Sequence, residues 1–326
     1  MTKKILLSGL MALMSVPALA QSSVTAYGLI DLSLGAGKAP GMSATLKTAD
    51  SGMMSTSFFG FRGVEDLGGG LSATFNIESF IRADSGQSGR FTSDAFWARS
   101  ANVGLTSKEW GTLRVGRNTT PLFIATLSFN AIGDSFGYSP AVRHIFISNT
   151  VTGDSGWSDS VIYTTPNFSG FSASAVVAAG EGSGGRNVAA SGTYVSGPLA
   201  GALTYQKVQK DNGASAVDDT TVWMGHGSYD FGVVKLYGQY ANATNDTRRI
   251  DYKIYQAGAS VPIGQGNLLA QYGQISPSSG AGRKTWTVGY DYFLSKRTDV
   301  YLMAMSDKVS GLSGGNSVSL GMRHRF

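Results

Sequence analysis

The chain has 326 residues, 44 glycines, no cysteine and a formal charge of +5, with 14% charged and 11% aromatic side chains. So few charges beside so many aromatic rings exclude a disordered chain, and so much glycine excludes a helical bundle. The composition is typical of a β-rich protein with many turns, held together without disulfides.

The first twenty residues have the pattern of a cleavable export signal. Two lysines near the start precede an apolar stretch over 5–16, and a small-residue cleavage motif ends at Ala20. The apolar stretch is too short to span a bilayer. We therefore predict a signal peptide over 1–20 and a mature chain over 21–326, whose formal charge falls from +5 to +3 when both lysines are removed.

Alternation of apolar and polar residues continues through most of the mature chain. Between 71 and 78, for example, leucine, alanine, phenylalanine and isoleucine alternate with serine, threonine, asparagine and glutamate. This period predicts half-buried strands, which glycine-rich turn signals separate. The pattern gives about sixteen segments of about ten residues, the length of membrane-spanning strands. They start near residues 23, 52, 70, 93, 110, 158, 170, 188, 200, 219, 233, 249, 266, 284, 298 and 315.

Two classes of protein show such alternation, the soluble β-sandwich and the outer-membrane barrel. Aromatic residues recur at the strand ends, as at Tyr292 and Phe293, which is typical of the girdles of a barrel. The last strand ends on Phe326, and an uncovered edge there would invite aggregation unless it paired with the first strand. We therefore predict an all-β fold, a closed transmembrane antiparallel β-barrel of about 16 strands.

The stretch 118–157 lacks steady alternation. A loop of this length is uncommon in a compact structure and is usually functional. Its apolar side chains, Leu122, Phe123 and Phe146 among them, indicate that it packs against other residues. We predict that it folds into the lumen of the barrel and narrows it.

Charged residues on the polar faces of the strands should point into the lumen, because a charge that faces lipid at mid-depth costs about 2–4 kcal/mol. The residues that this rule assigns to the lumen are Glu78, Arg82, Arg114, Lys235 and Asp291. Near the middle of 118–157, the ionisable candidates are Asp134, Arg143 and His144.

Seven short stretches, spread over the whole mature chain, match a known family. They are YGLID at 27–31, FRGVEDLGGGL at 61–71, WGTLRVGR at 110–117, SVIY at 160–163, SGPL at 196–199, LSKRT at 294–298 and GMRHRF at 321–326. In this order they are highly specific, and the chain resembles the Gram-negative general porins, sixteen-stranded trimeric diffusion channels of the outer membrane.

The resemblance implies that 118–157 is the constriction loop and that arginines lie on the wall facing it. The family's wall arginine, six residues before the leucine of Val-Gly-Leu, corresponds to Arg99, although strict alternation puts Arg99 on the same face as Ala101. Two positions that hold arginine in many relatives are Phe58 and Ile162 here, which weakens the expected preference for anions.

Six residues are therefore the candidates for the pore constriction: Glu78, Arg82, Arg99, Arg114, Asp134 and Arg143. We expect the three arginines of the wall, Arg82, Arg99 and Arg114, to face Asp134 of the loop. Opposed charges across a narrow pore select ions without making any bond. The alternative for each residue is a salt bridge that anchors the loop.

The resemblance also implies the partners of the chain. It predicts a homotrimer in the bacterial outer membrane, in contact with outer-membrane lipids and lipopolysaccharide, which passes ions and small hydrophilic solutes. The barrel-assembly machinery would recognise the last strand and its terminal Phe326. No nucleic acid is expected.

Motifs that resemble enzyme sites are weak in this chain. The sequence Gly133-Asp134-Ser135-Phe136-Gly137 fits a nucleophile elbow, but the strand–turn–helix context that the elbow needs is not predicted. We predict no catalytic residue, metal or cofactor. The leading interpretation is a general diffusion porin. A porin preferring small anions or organic acids, a sealed adhesin-type barrel and a secreted soluble binding protein are the alternatives.

Overall fold

A computed structural model describes residues 23–182, 184–210 and 216–326. The predicted signal peptide over 1–20 lies outside the described residues. The strands are β1 Ser23–Lys38, β2 Leu46–Ser51, β3 Phe58–Gly68, β4 Leu71–Arg82, β5 Gln87–Ser88, β6 Ser100–Ser107, β7 Gly111–Thr119, β8 Gly156–Thr164, β9 Phe171–Ala178, β10 Asn187–Ser196, β11 Leu199–Val208, β12 Thr220–Asp230, β13 Lys235–Asn245, β14 Ile250–Ile263, β15 Gly266–Pro277, β16 Arg283–Phe293, β17 Thr298–Val309 and β18 Gly315–Arg325. The helices are α1 Pro121–Ser128 and α2 Pro140–Phe146.

These strands form one antiparallel sheet that closes on itself. β1 pairs with β18 on one side, and on its other side it pairs with β3 along its first half and with β2 along its second. β2 and β3 are therefore two parts of one barrel strand, while β5 is a two-residue strand against the end of β4. Counted this way, the described residues form a closed barrel of sixteen strands, which confirms the predicted fold. β6 begins at Ser100, later than the predicted start near residue 93.

The tight turn between β3 and β4 shows why this chain needs so much glycine. Gly68, Gly69 and Gly70 have φ values of 81°, 61° and 78°, in the left-handed region that favours glycine. The short connections lie at the rim that also holds Ser23 and Phe326. In barrels of this kind that rim is periplasmic, and the long loops at the other rim are extracellular.

The segment 120–155, here called the lumen loop, contains the two helices, which the sequence analysis did not predict. The Thr120 hydroxyl caps α1 by accepting a hydrogen bond from the Phe123 amide, and the Ser139 hydroxyl caps α2 in the same way. Each cap is followed by proline at the first helical position, where its fixed φ suits a helix start. Of the residues that the structure describes, none forms a helix long and apolar enough to cross a bilayer.

The lumen loop packs against the inner faces of β12–β18 and contributes to two apolar clusters of the molecule. One cluster joins its Leu122, Ile145 and Val151 to wall residues such as Met224 and Ile254. A second joins Ile132 and Tyr138 to Leu269, Tyr301 and Met303. Gly273 makes room for this packing, because a Cβ there would lie 2.8 Å from both His144 and Pro140. The loop thus fills one side of the lumen, with α1 lying beside β9–β12. The space that stays open lies next to α1, along β3–β11.

Candidate functional site

The open side of the lumen is a cavity of about 1000 Å³ bounded by strands from β1 to β13 and by α1. Among the described residues that line it, the charged ones are Arg62, Glu78, Arg99, Arg114 and Lys235. Four cationic side chains and one carboxylate leave the lining with a formal charge of +3. The side chains that α1 adds, Ile124, Ala125 and Ser128 among them, carry no charge.

Arg99 and Glu78 form an ion pair on the wall of this cavity. Glu78 is buried and also accepts a hydrogen bond from the Tyr27 hydroxyl. The Arg99 guanidinium lies 3.9 Å from the centroid of the Phe58 ring. Phe58, one of the positions that hold arginine in many relatives, therefore helps to position the arginine that is present.

Arg99 lies inside the barrel although alternation along 99–105 would place it outside. Strand pairing between β4 and β6 begins at Ser100, and the residues just before it form turns. The parity of the strand consequently does not extend to Arg99. The family resemblance predicted that Arg99 lies on the wall of the lumen, whereas the alternation of residues along the strand did not.

Arg114 points inward from β7, between the outward-facing Leu113 and Val115, and lines the cavity as alternation predicts. Lys235 does so from the start of β13. The sequence analysis did not name Arg62 as a residue of the lumen. It lies on β3 opposite Asn76, with its guanidinium 4.7 Å from the Tyr27 ring centroid. The alternation of β3 was a signal that could have identified it.

The structure places Asp134 away from these arginines. Its carboxylate accepts a hydrogen bond of 2.7 Å from the Ser55 hydroxyl, and that same hydroxyl accepts one from Arg323. Asp134 is not among the residues that line the cavity with Arg99 and Arg114.

Arg143 lies within the lumen loop and helps to hold it to the wall of the barrel. It donates hydrogen bonds of 3.1 Å to the carbonyl oxygens of Phe136 and Gly137, and its guanidinium is 3.5 Å from the Asp307 carboxylate. Asp291, predicted to face the lumen, is buried there and paired with Arg323 at 2.6 Å.

Arg82 lies at the extracellular end of β4 and lines a second cavity, of about 520 Å³. Arg90, which the sequence analysis missed, lines the same cavity and forms ion pairs with Asp94 and with Asp154 of the lumen loop. Arg117 also binds Asp154. Burial opposes ionisation of Asp154, but the hydrogen bonds and charges of Arg90 and Arg117 outweigh it and lower the pKa of this carboxyl. The ion pairs of Asp154 hold the end of the lumen loop to the segment after β5 and to β7.

Several hydrogen bonds fix the inner part of the lumen loop to the wall formed by β12–β18. The His144 Nε2 is 2.8 Å from the Thr285 hydroxyl, and the Tyr138 hydroxyl is 2.7 Å from that of Ser319. The Gln239 amide donates to the Thr126 carbonyl at 2.9 Å. Burial lowers the pKa of His144 to about 3, and the positive charge of Arg283 adds to this shift.

Phe326 lies at the seam of the barrel. Its backbone exchanges two hydrogen bonds of 3.1 Å with Gly28, one in each direction, and its ring lies on the outer surface over that glycine.

Comparisons with known proteins agree with this geometry. A family model described as Gram-negative porin matches residues 7–312. The chain is 31% identical to an outer membrane porin protein of Bordetella pertussis, with 100% of each chain covered. An anion-selective porin from Comamonas acidovorans has a TM-score of 0.80 at 27% identity, over 94% of this chain and 100% of that one. The trimer form of OmpT, an outer membrane protein of Vibrio cholerae, has a TM-score of 0.71 at 15% identity, over 94% and 99%, which is a likeness of fold.

Proposed function

The chain belongs to the Gram-negative porin family, as an outer-membrane porin, and from that premise we propose that it passes small hydrophilic anions in preference to cations. Passage is by passive diffusion and makes no bond, so the proposal includes no catalytic residue and no cofactor. The anion-selective porin of Comamonas acidovorans, at 27% identity, supports the same preference.

The observation that carries this proposal is the formal charge of +3 on the cavity lining. A unit charge at 4 Å changes the energy of an ion by about 1 kcal/mol even in bulk water, and by more beside a low-dielectric wall. Because Glu78 is paired with Arg99, the charges of Arg62, Arg114 and Lys235 have no counter-charge in the lining. Each therefore raises the local concentration of anions and lowers that of cations.

Ions and small hydrophilic solutes, among them small organic acids, are the substrates that such a lining favours. The cavity of about 1000 Å³ favours a conducting channel over a sealed adhesin-type barrel. The candidate constriction residues Glu78, Arg99 and Arg114 belong to this proposal as charges of the cavity lining. Arg82 belongs to the second cavity, and Asp134 and Arg143 contribute through the anchoring of the lumen loop.

The assembly we propose is a homotrimer. Four aromatic residues form a patch on the outer surface, the outer aromatic patch: Phe59, Phe61, Phe96 and Trp97. Phe61 and Phe96 are 38% and 49% exposed. A second copy of the chain is the partner we propose for this patch, since the trimer form of OmpT has the same fold.

Outer-membrane lipids, including lipopolysaccharide, are proposed partners of a row of outward lysines. Lys253 and Lys284 each lie two residues nearer the extracellular rim than an exposed ring, Tyr255 and Trp286 respectively, and Lys308 is directly opposite Lys284. Lipid phosphates would relieve the repulsion between these paired charges. Export by the signal peptide over 1–20 and recognition of Phe326 by the barrel-assembly machinery complete the proposal.

Reversal potentials in planar bilayers under a KCl gradient test the selectivity. We expect a potential of the sign that chloride permeation produces, and a smaller one for Arg114→Gln because the lining loses one unit of charge. Arg297→Gln, which removes the same charge from an exposed periplasmic turn, is the matched control and should behave as the original protein. A cation-selective channel, or equal potentials for Arg114→Gln and the original, would contradict the proposal, and a barrel without conductance would favour the sealed alternative.

A further inference from the structure

The second cavity has walls of a different kind from the first. It lies at the extracellular end of β4 and beside the end of β2 that leads toward β3, against the lumen loop, and has a volume of about 520 Å³. Four phenylalanines line it and define what we call the aromatic vestibule: Phe80, Phe91, Phe136 and Phe146. This volume lies within the range of about 300–1000 Å³ that small-molecule sites occupy, and mostly apolar walls are typical of such sites.

Two arginines line the aromatic vestibule, and only one of them has its charge balanced. Arg90 is held by Asp94 at 2.8 Å and by Asp154 at 2.7 Å. Arg82 forms no ion pair within the described residues; its guanidinium makes one long hydrogen bond, 3.5 Å, to the Ser88 carbonyl. The buried Nε of Arg82 has no partner among the described atoms. The vestibule therefore combines apolar rings with a guanidinium that lacks a counter-charge.

The rings of the vestibule continue toward the constriction. Phe123 on α1 stacks on Phe136, with ring centroids 5.7 Å apart, and meets Phe146 edge to face at 5.2 Å. The next residue, Ile124, lines the larger cavity. A solute held among these rings is thus beside the helix that borders the path through the barrel.

A ligand for this site needs both a negative group and a flat apolar body. A carboxylate accepts two parallel hydrogen bonds from a guanidinium, which is the strongest pairing open to Arg82. An aromatic ring gains from offset or edge-to-face contact with phenylalanine, whereas a small hydrated carboxylate would lose water against the same walls and gain the pairing with Arg82 alone. We propose that the aromatic vestibule binds aromatic monocarboxylates before they pass the constriction. This deepens the proposed function and rests on it for the path by which the ligand crosses the membrane.

Binding to the detergent-solubilised full-length protein tests the site separately from conduction. Three probes are compared: benzoate has a ring and a charge, acetate has the charge alone, and benzamide has the ring alone. Calorimetry or ligand-observed NMR measures the binding of each. We expect saturable binding of benzoate at concentrations where acetate and benzamide do not bind. Arg82→Gln should weaken benzoate binding by at least about tenfold, the loss expected of one charge-assisted hydrogen bond.

Phe136→Leu keeps an apolar side chain but removes a ring, and should also weaken benzoate binding. Arg297→Gln is the charge-matched control, and heat-modifiable migration on gels verifies that each variant is folded. Equal affinity for benzoate and acetate would overturn the site. The site would also be overturned if the Arg82→Gln and Phe136→Leu variants were folded and bound benzoate as the original protein does.

The two proposals fail in different ways. An anion-selective channel without specific benzoate binding overturns the vestibule and leaves the selectivity standing. Saturable benzoate binding by a channel that prefers cations supports the vestibule and overturns the proposed selectivity.

Discussion

Glu78 is the carboxylate among the charged residues of the cavity lining, and its contacts decide how much of the positive charge an ion meets. It is buried beneath Arg99 and accepts hydrogen bonds from that guanidinium and from Tyr27. Phe58 covers the guanidinium from the other side at 3.9 Å. Arg99 is thus a positioned cation whose field is largely cancelled, unlike that of Arg114.

The ion pair of Glu78 and Arg99 predicts that replacing its two residues changes the preference for anions in opposite directions. Glu78→Gln keeps hydrogen-bonding groups for Tyr27 and raises the formal charge of the lining from +3 to +4, so the preference for anions should increase. Arg99→Gln leaves a buried carboxylate without its cation and should decrease the preference. The double variant restores +3 and should return close to the original, which reversal potentials of all four proteins would measure. A decrease for Glu78→Gln would contradict this account.

At the scale of elements, the strands could be predicted from sequence and the placement of the lumen loop could not. Lipid on one face of a strand and water or polar side chains on the other impose a period of two, so the predicted starts near 70, 110 and 298 lie close to those of β4, β7 and β17. The helices had local signals, since Thr120 and Ser139 are each followed by proline. The docking of the helices depends on wall residues that are distant in sequence, such as Thr285, which contacts His144. No local sequence pattern indicates that these two residues are close in space.

The lumen loop is held to the wall by contacts that exclude water. Leu122, Ile145 and His144 have no exposed surface, and Thr285 is the hydrogen-bonding partner of the imidazole. Undocking the loop would expose the inward-facing apolar residues of β12–β18, so the loop should remain in place during conduction. A proton on His144 acts against this packing.

The stability of the protein should consequently fall in mild acid. The unfolded chain takes up a proton on His144 below about pH 6.5, whereas burial keeps the folded pKa at about 3. The unfolded state therefore binds more protons on this residue between these values, and the contribution of His144 to the free energy of unfolding should drop by about 2 kcal/mol from pH 6.5 to pH 4.5. Urea unfolding in detergent at the two pH values measures this drop.

Replacing His144 isolates the contribution of its imidazole to the pH dependence of stability. His144→Gln should show a drop smaller by about the same amount, because the titrating group is gone. His324→Gln, which removes an exposed imidazole of β18, is the control and should retain the full drop. Equal drops in the original protein and His144→Gln would show that the buried imidazole does not link proton binding to folding.

At the scale of the whole molecule, the barrel is complete only when its last residue meets its first strand. β1 and β18 pair from Leu29 opposite Arg325 to Lys38 opposite Asn316, and Phe326 adds the two final hydrogen bonds with Gly28. The Phe326 ring lies over Gly28 so closely that a Cβ there would be 2.5 Å from the ring. Closure removes both edges of the sheet, which otherwise would expose unpaired backbone groups to lipid.

Phe326 therefore has two separable roles, closure of the seam and the proposed recognition by the assembly machinery. Deleting the residue removes both backbone hydrogen bonds and should lower the folded fraction on refolding into detergent, where no machinery is present. Phe326→Ala keeps those bonds and should refold nearly as well as the original, yet yield less unheated trimer from cells if the ring is the recognised feature. Gly28→Leu displaces the ring and crowds the Phe58 carbonyl of β3 but keeps the terminal phenylalanine, so its defect should appear in both settings. Normal trimer yield from cells for Phe326→Ala would contradict the recognition role, and normal refolding of the deletion would contradict the closure role.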